Sequence, residues 1–172
     1  MQRLADDFFR RDVLEVAPDL VGKLLVRHCP ETGEVRTVRI TETEAYRGEE
    51  DTACHARHGR TPRNALLYGE SGVIYVYLCY GIHWLMNIVT GDIGAPQAVL
   101  LRAGASANGP ARLTKALGVD KRFNGIGINA QDMLFIADDG FSAAVTTAPR
   151  VGIQYATPEY RDKEWRFLNI RN

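Results

Sequence analysis

Strand-like runs of apolar and β-branched residues dominate the hydrophobic pattern of this chain, and turn residues separate them. Eight runs predict strands, at residues 23–28, 35–45, 73–79, 83–89, 98–103, 133–137, 143–147 and 165–170. Tyr80-Gly81 should turn a hairpin between the third and fourth strands. The segment Asp138-Asp139-Gly140 should turn another between the sixth and seventh.

Three short helices fit between these strands. Residues 5–20 are amphipathic, residues 108–117 have Pro110 inside the start and Gly118 past the end, and Thr157-Pro158 begins the last helix. Because strands dominate and mostly follow one another, the sequence predicts an α+β fold. We expect one domain, residues 1–172, with a curved, mostly antiparallel sheet, flanking helices and a protruding β-hairpin.

The end of the second predicted strand carries the most informative polar residues. Side chains alternate along a strand, so Val38, Ile40, Glu42, Glu44 and Tyr46 should share one face, which begins apolar and becomes acidic. Desolvating a carboxylate costs several kcal/mol unless it is paired or neutralised. Glu44 is therefore the first candidate for a working acid or base. Glu42 lies nearer the core and is expected to be a structural partner for an arginine or a backbone amide.

Composition narrows the class of protein. The chain contains no run of about 18 apolar residues, so no membrane-spanning helix is expected. Its three cysteines lack CxxC spacing and suggest free thiols in a reducing cytoplasm. Net charge is zero, yet residues 54–122 carry 8 Lys/Arg against 3 Asp/Glu. Such asymmetry permits a local anion-binding face.

Tyrosines and basic residues cluster in that central segment. Tyr75 and Tyr77 share a strand face and Tyr80 lies at the hairpin tip, where aromatic rings can stack on nucleobases or simply fill a core. The loop of residues 55–63 carries His55, His58 and three arginines, and is either a phosphate-contacting loop or a solvated one. Two histidines without supporting ligands make a poor metal site, so no metal ion is expected there.

Two more polar side chains occur in predicted strands. The Asn87 amide, inside an apolar strand, must find hydrogen bonds and so either pins a loop or reads a ligand. Arg102 ends its strand and could pair with a buried carboxylate or hold a phosphate. These residues favour hydrolysis or binding at a nucleic acid, and leave open both a non-catalytic nucleic-acid-binding module and a small-molecule hydrolase.

Several ordered motifs together resemble the alkyladenine (3-methyladenine) DNA glycosylase family. They are residues 40–46, His55, residues 59–64, 75–81, 86–87, 100–103 and 108–110, and the resemblance extends from residue 14 to residue 167. It implies a monofunctional enzyme without metal or cofactor that acts on double-stranded DNA as a monomer, in the cytoplasm and associated with the nucleoid in a bacterium. The implied substrates are purines such as 3-methyladenine, 7-methylguanine, ethenoadenine and hypoxanthine, and the implied product is an abasic site.

The resemblance also implies a role for each candidate residue. Glu44 would be the general base that activates water, and Arg102 would orient the water and a nearby phosphate. The residues that would sandwich the flipped base are Tyr46, His55 and Tyr77. Tyr80 would intercalate in the gap left in the duplex, and the Asn87 amide would crowd the exocyclic amine of guanine.

Overall fold

The predicted strands form and join one antiparallel sheet in the computed structural model, which describes residues 1–170. The strands of that part of the chain are β1 (Gln2–Arg3), β2 (Leu24–Cys29), β3 (Glu34–Arg47), β4 (Ile74–Cys79), β5 (His83–Val89), β6 (Gln97–Gly104), β7 (Leu134–Asp138), β8 (Val145–Ala148) and β9 (Arg166–Asn169). Their order is β1-β7-β2-β3-β6-β5-β4, and β9 pairs with both β3 and β8. The predicted α+β class and mostly antiparallel sheet are confirmed.

The amphipathic segment of residues 5–20 forms two helices, so the prediction of one continuous helix was wrong. α1 spans Asp6–Phe9 and α2 spans Val13–Leu20. The chain breaks between them because the Asp12 side chain accepts a hydrogen bond from the Leu14 N–H at 2.9 Å and so caps a new helix. Two further helices, α3 (Pro110–Leu117) and α4 (Pro158–Arg161), begin where predicted. In residues 1–170 no helix is long and apolar enough to cross a membrane.

The hairpin predicted around Asp138-Asp139-Gly140 does not form. β7 pairs with β2 on one side and β1 on the other, whereas β8 pairs with β9. With both edges of β7 occupied, no edge remains for β8. The two aspartates instead form ion pairs, Asp138 with Lys23 at 2.5 Å and Asp139 with Arg39 at 2.6 Å.

A change of register in β3 separates its apolar residues from its acidic ones. Ile40 pairs with Gly104 and Glu42 with Ala103, so Thr41 is an extra residue, as in a β-bulge. Ile40 and Ala45 therefore both lie in the main core. The prediction that Val38, Ile40, Glu42, Glu44 and Tyr46 share one face was wrong, because the bulge reverses the alternation.

The two faces of the sheet consequently differ. The face toward α2 and α3 is apolar, with Ile74, Val76, Met86, Ile88, Val99 and Leu101 in the core. Tyr75, Tyr77, Asn87 and Ala98, at the alternate positions of the same strands, line a pocket together with Tyr46. The register change in β3 thus puts its polar end on the same face of the sheet as the aromatic positions of β4.

Candidate active site

Glu44 is fully buried, and both of its carboxylate oxygens are held. The Val151 N–H donates to Oε1 at 2.8 Å, and the Tyr46 hydroxyl donates to Oε2 at 2.8 Å. Arg102 Nε lies 3.4 Å from Oε1. Two hydrogen-bond donors and one nearby cation fix the orientation of this carboxylate and leave it little rotational freedom.

Burial raises the pKa of Glu44 above its ordinary value. The Val151 hydrogen bond, the Arg102 charge and the Tyr46 hydrogen bond all lower the pKa, but burial is the larger effect. The Tyr46 pKa lies well above its ordinary value, first through burial and then through the Glu44 charge, so its hydroxyl stays protonated as a donor. A carboxylate whose pKa is raised in this way is suited to accept a proton near neutral pH.

Arg102 links Glu44 to the second carboxylate of β3. It sits where β6 skips a pairing position, since Ala103 pairs with Glu42 but Leu101 pairs with Thr43. Its Nε donates to Glu42 at 2.8 Å, and Arg166 reaches the same Glu42 oxygen at 3.1 Å. Glu42 therefore has the arginine-binding role predicted from the sequence.

The pocket beside Glu44 contains four of the predicted site residues: Tyr46, His55, Tyr77 and Asn87. The His55 and Tyr77 rings meet edge to face with centroids 4.6 Å apart. His55 Nδ1 is also within 2.9 Å of the Tyr75 hydroxyl. Tyr155, from the segment after β8, completes the aromatic lining.

His55 and Asn87 are both held by neighbours within the pocket. Burial first, and then the charges of Arg63 and Arg57, lower the pKa of His55 to about 4. Its ring is therefore neutral at physiological pH. The Asn87 side chain donates to the Tyr75 carbonyl at 3.1 Å while lining the pocket, so it both pins the strand pair and faces the cavity.

Tyr80 lies outside the pocket, at the tip of the β4–β5 hairpin, and is 90% exposed. Its φ of 51° is the only left-handed value among the non-glycine residues from 1 to 170. Such a conformation is disfavoured for an aromatic residue by about 1–2 kcal/mol. The hairpin thus holds an exposed ring in place despite a backbone cost.

Comparison with known proteins identifies the family. The sequence model of the family described as "Methylpurine-DNA glycosylase (MPG)" matches residues 7–107 and 104–172. The chain belongs to this family.

Three relatives carry the printed name "Putative 3-methyladenine DNA glycosylase". The one from Nitrosococcus oceani is 43% identical over 92% of this chain and 86% of its own length. Those from Natranaerobius thermophilus and Methanocella arvoryzae are each 40% identical, over 96% and 98% of this chain and 94% and 93% of their own lengths. The family predicted from the ordered motifs is confirmed, and with it the expectation of a DNA glycosylase, a hydrolase of N-glycosyl bonds in DNA.

The basic loop of this family member is tightly folded around one amide. The Asn64 side chain donates to the carbonyls of His55 and Gly59, each at 2.9 Å, and accepts from the Thr61 N–H at 2.6 Å. A cleft beside the aromatic pocket is lined by this loop, including Arg57 and Arg63. Within residues 1–170 no group of three or more His, Cys, Asp or Glu side chains could hold a metal ion.

Sequence reasoning missed a buried ion pair next to Glu44. Arg150 and Asp51 have fully buried side chains and meet through two hydrogen bonds of 2.6 and 2.9 Å. The Arg150 guanidinium lies 4.7 Å from the centre of the Tyr46 ring. Neither residue occurs in a recognisable pattern, and only the fold brings them together across 99 positions of the chain.

Proposed function

We propose that this DNA glycosylase excises alkylated or deaminated purines from double-stranded DNA and leaves an abasic site. The proposed substrates are 3-methyladenine, 7-methylguanine, ethenoadenine and hypoxanthine. The observation that carries the proposal is Glu44, a fully buried carboxylate with both oxygens held, next to an aromatic pocket. A side chain in this position costs stability, which a functional role accounts for.

Base flipping is the first step of the proposed reaction. A glycosidic bond inside a duplex is reached by extruding the nucleotide, at a cost of a few kcal/mol. Tyr80, exposed at its hairpin tip, would enter the vacated space and restack it, which offsets part of this cost because stacking is worth about 1–3 kcal/mol per base. The loop of residues 55–63 would supply the basic surface that contacts the DNA phosphates.

The flipped purine would lie against the aromatic pocket. His55 and Tyr77 touch each other, so no base fits between them, and they would form one wall together. Tyr46 would form the opposite wall. Stacking accepts any purine, which supports a broad substrate range, while the Asn87 amide would crowd the exocyclic amine of guanine.

Hydrolysis would then need one placed water. Its oxygen would bond to C1′ as the C1′–N bond breaks, with the bonding electrons leaving on the base and a water proton passing to Glu44. A purine methylated at N3 or N7 carries positive charge and leaves as a neutral base, whereas hypoxanthine and ethenoadenine would leave as anions that take a proton from solvent water. Before proton transfer, the Glu44 charge would stabilise the positive sugar, and Arg102, 3.4 Å from Glu44, would help orient the water.

A lesion panel tests this proposal. Duplexes with a single hypoxanthine, ethenoadenine or methylated purine are incubated with excess enzyme and then treated with alkali, which cleaves at abasic sites. Cleavage at the lesion alone supports the proposal. Salt-dependent binding without any cleavage would instead identify a nucleic-acid-binding module, and activity without salt-dependent DNA binding would identify a small-molecule hydrolase.

A further inference from the structure

Arg150 is linked to both residues that bind the Glu44 oxygens. The N–H that donates to Glu44 Oε1 belongs to Val151, the next residue along the chain. The hydroxyl that donates to Oε2 belongs to Tyr46, whose ring the guanidinium covers at 4.7 Å. Arg150 also donates to the carbonyl of Ala45, at 2.9 Å, between Glu44 and Tyr46 in sequence. One backbone link and two side-chain contacts of a single residue therefore converge on the placement of one carboxylate.

The Arg150 side chain is itself held by four hydrogen bonds from its two Nη atoms, while its buried Nε has no hydrogen-bond partner within the described part of the chain. Asp51 receives two of its N–H groups, and the carbonyls of Ala45 and Tyr160 receive two more. Trp165 covers the guanidinium as well, at 5.1 Å from its ring centre. Lysine cannot reproduce this set, because an ammonium has three donors and no planar face.

A cation and an anion buried together are weak evidence for stability, since well-packed apolar residues often stabilise a core as well or better. The Asp51–Arg150 pair nevertheless sits directly behind Glu44 and Tyr46. Its geometry fits a positioning role better than a purely structural one.

We propose that Arg150, held by Asp51, is the positioning residue that sets the orientation of Glu44 through Val151 and Tyr46. This inference rests on the proposed function, in which Glu44 activates water. Arg150 touches neither the substrate nor the water in this scheme. Its effect is confined to the placement and protonation of the catalytic carboxylate.

The test is Arg150→Lys, which keeps the charge opposite Asp51 and removes the fork and the stacking. Single-turnover excision should fall about 100-fold, the effect of a misplacement of roughly 1 Å at a reacting group. The lesion-duplex Kd should change far less than the excision rate, because Arg150 reaches the base pocket only through the Tyr46 ring. The acid limb of the pH–rate profile should move to higher pH, because weaker donation from Val151 and Tyr46 leaves Glu44 easier to protonate.

Arg39→Lys is the matched control, in the middle of β3 and before the bulge at Thr41. Arg39 donates twice to Asp139, once to the Gly22 carbonyl, and lies 4.4 Å from the Phe141 ring centre. The substitution therefore removes a similar set of contacts, at a site that does not touch Glu44. Its excision rate and acid limb should match those of the wild type.

Trp165→Leu provides a second variant that removes one stacking face and leaves the Asp51 pair in place. It should shift the acid limb of the pH–rate profile in the same direction, with a smaller loss of excision rate. If Arg150→Lys does not fold, Trp165→Leu still tests the proposal. A wild-type acid limb in both variants, or a rate that merely follows the folded fraction, overturns the positioning role. A wild-type protein that releases no base overturns the proposed function instead, and the positioning role with it.

Discussion

Replacing Glu44 with Gln should raise stability while removing activity. The substitution keeps the size of the side chain and removes the buried charge. In the wild type, burial outweighs three favourable contacts in setting the pKa of Glu44. The ionised side chain therefore destabilises the folded state at neutral pH, and its removal should stabilise that state.

The size of the effect follows from the contacts. Desolvating a buried carboxylate costs several kcal/mol. Against this, the Val151 N–H and Tyr46 hydroxyl would lose a charged acceptor, at about 1 kcal/mol each. The variant should gain about 1 kcal/mol net, or about 2–4 °C in Tm for a chain of this length. Its single-turnover excision rate should fall about 10³-fold, since a base and a charge at the reacting sugar are both lost.

The gain in stability from Glu44→Gln should increase with pH. The pKa of Glu44 is raised in the folded state above the ordinary 4.5 that the unfolded chain retains. The folded protein thus binds more protons between these two values, and wild-type stability falls as pH rises through that window. The stability advantage of Glu44→Gln should be present at pH 7 and disappear at pH 4.

Thermal unfolding at both pH values and single-turnover excision at pH 7 measure these effects. Glu42→Gln serves as the stability control with the opposite sign, because Arg102 and Arg166 would share a neutral amide oxygen in place of a carboxylate. It should destabilise by about 1–3 kcal/mol. A Glu44→Gln protein with full excision activity, or one less stable than the wild type at pH 7, would refute the reasoning.

Three further predictions concern the residues around Glu44. Tyr80→Ser should weaken lesion-duplex binding about 10-fold by loss of stacking, whereas Ile82→Ser in the same exposed loop should have a smaller effect in the same titration; equal losses would contradict the wedge role. Because the folded-state pKa of His55 is depressed from 6.5 to about 4, the wild type should lose stability as pH falls through this window, by up to about 3 kcal/mol, and His55→Gln should remove that loss in urea unfolding at pH 7.5 and pH 4; identical pH dependence would show that His55 is not desolvated. Asn87→Ser should raise excision of 7-methylguanine relative to hypoxanthine about 10-fold by relieving the contact with the guanine amine, and an unchanged ratio would remove Asn87 from specificity.

The strand pattern made much of this fold predictable. The β4–β5 hairpin has residues 83–89 as predicted and begins one residue later than predicted on the other strand. Tyr75 and Tyr77 share a face because alternation persists along β4. Tyr80-Gly81 turns the chain with positive φ values of 51° and 73°, a conformation that glycine adopts freely and that Tyr80 adopts at a cost.

The predictions of the fold that were wrong concern features set by pairing between distant segments of the chain. Nothing local signals the extra residue Thr41 in β3, yet it reverses every side chain beyond it. Residues 133–147 contain a good turn, but β1 and β2 compete for β7 and exclude β8. Glu44 was correctly singled out as a buried carboxylate, although the premise about its face was wrong.

The site itself was only partly predictable for a related reason. Asn87 stood out as an amide inside an apolar strand, whereas the roles of Tyr46, His55 and Tyr77 came from the resemblance to the family. Arg150 and Asp51 did not, since each looks like an ordinary loop charge until the fold buries it. Their ion pair joins the loop after β3 to the segment after β8, a contact between distant parts of the chain.

Release of a free base from damaged DNA tests the central claim most directly. Methylated duplex is incubated with excess wild-type or Glu44→Gln protein, the soluble fraction is identified by mass, and the strand is examined before and after alkali. The account predicts that the wild type releases intact 3-methyladenine and leaves a strand that breaks only after alkali, while Glu44→Gln releases about 10³-fold less per unit time. No released base from the wild type, or equal release by both proteins, would contradict it.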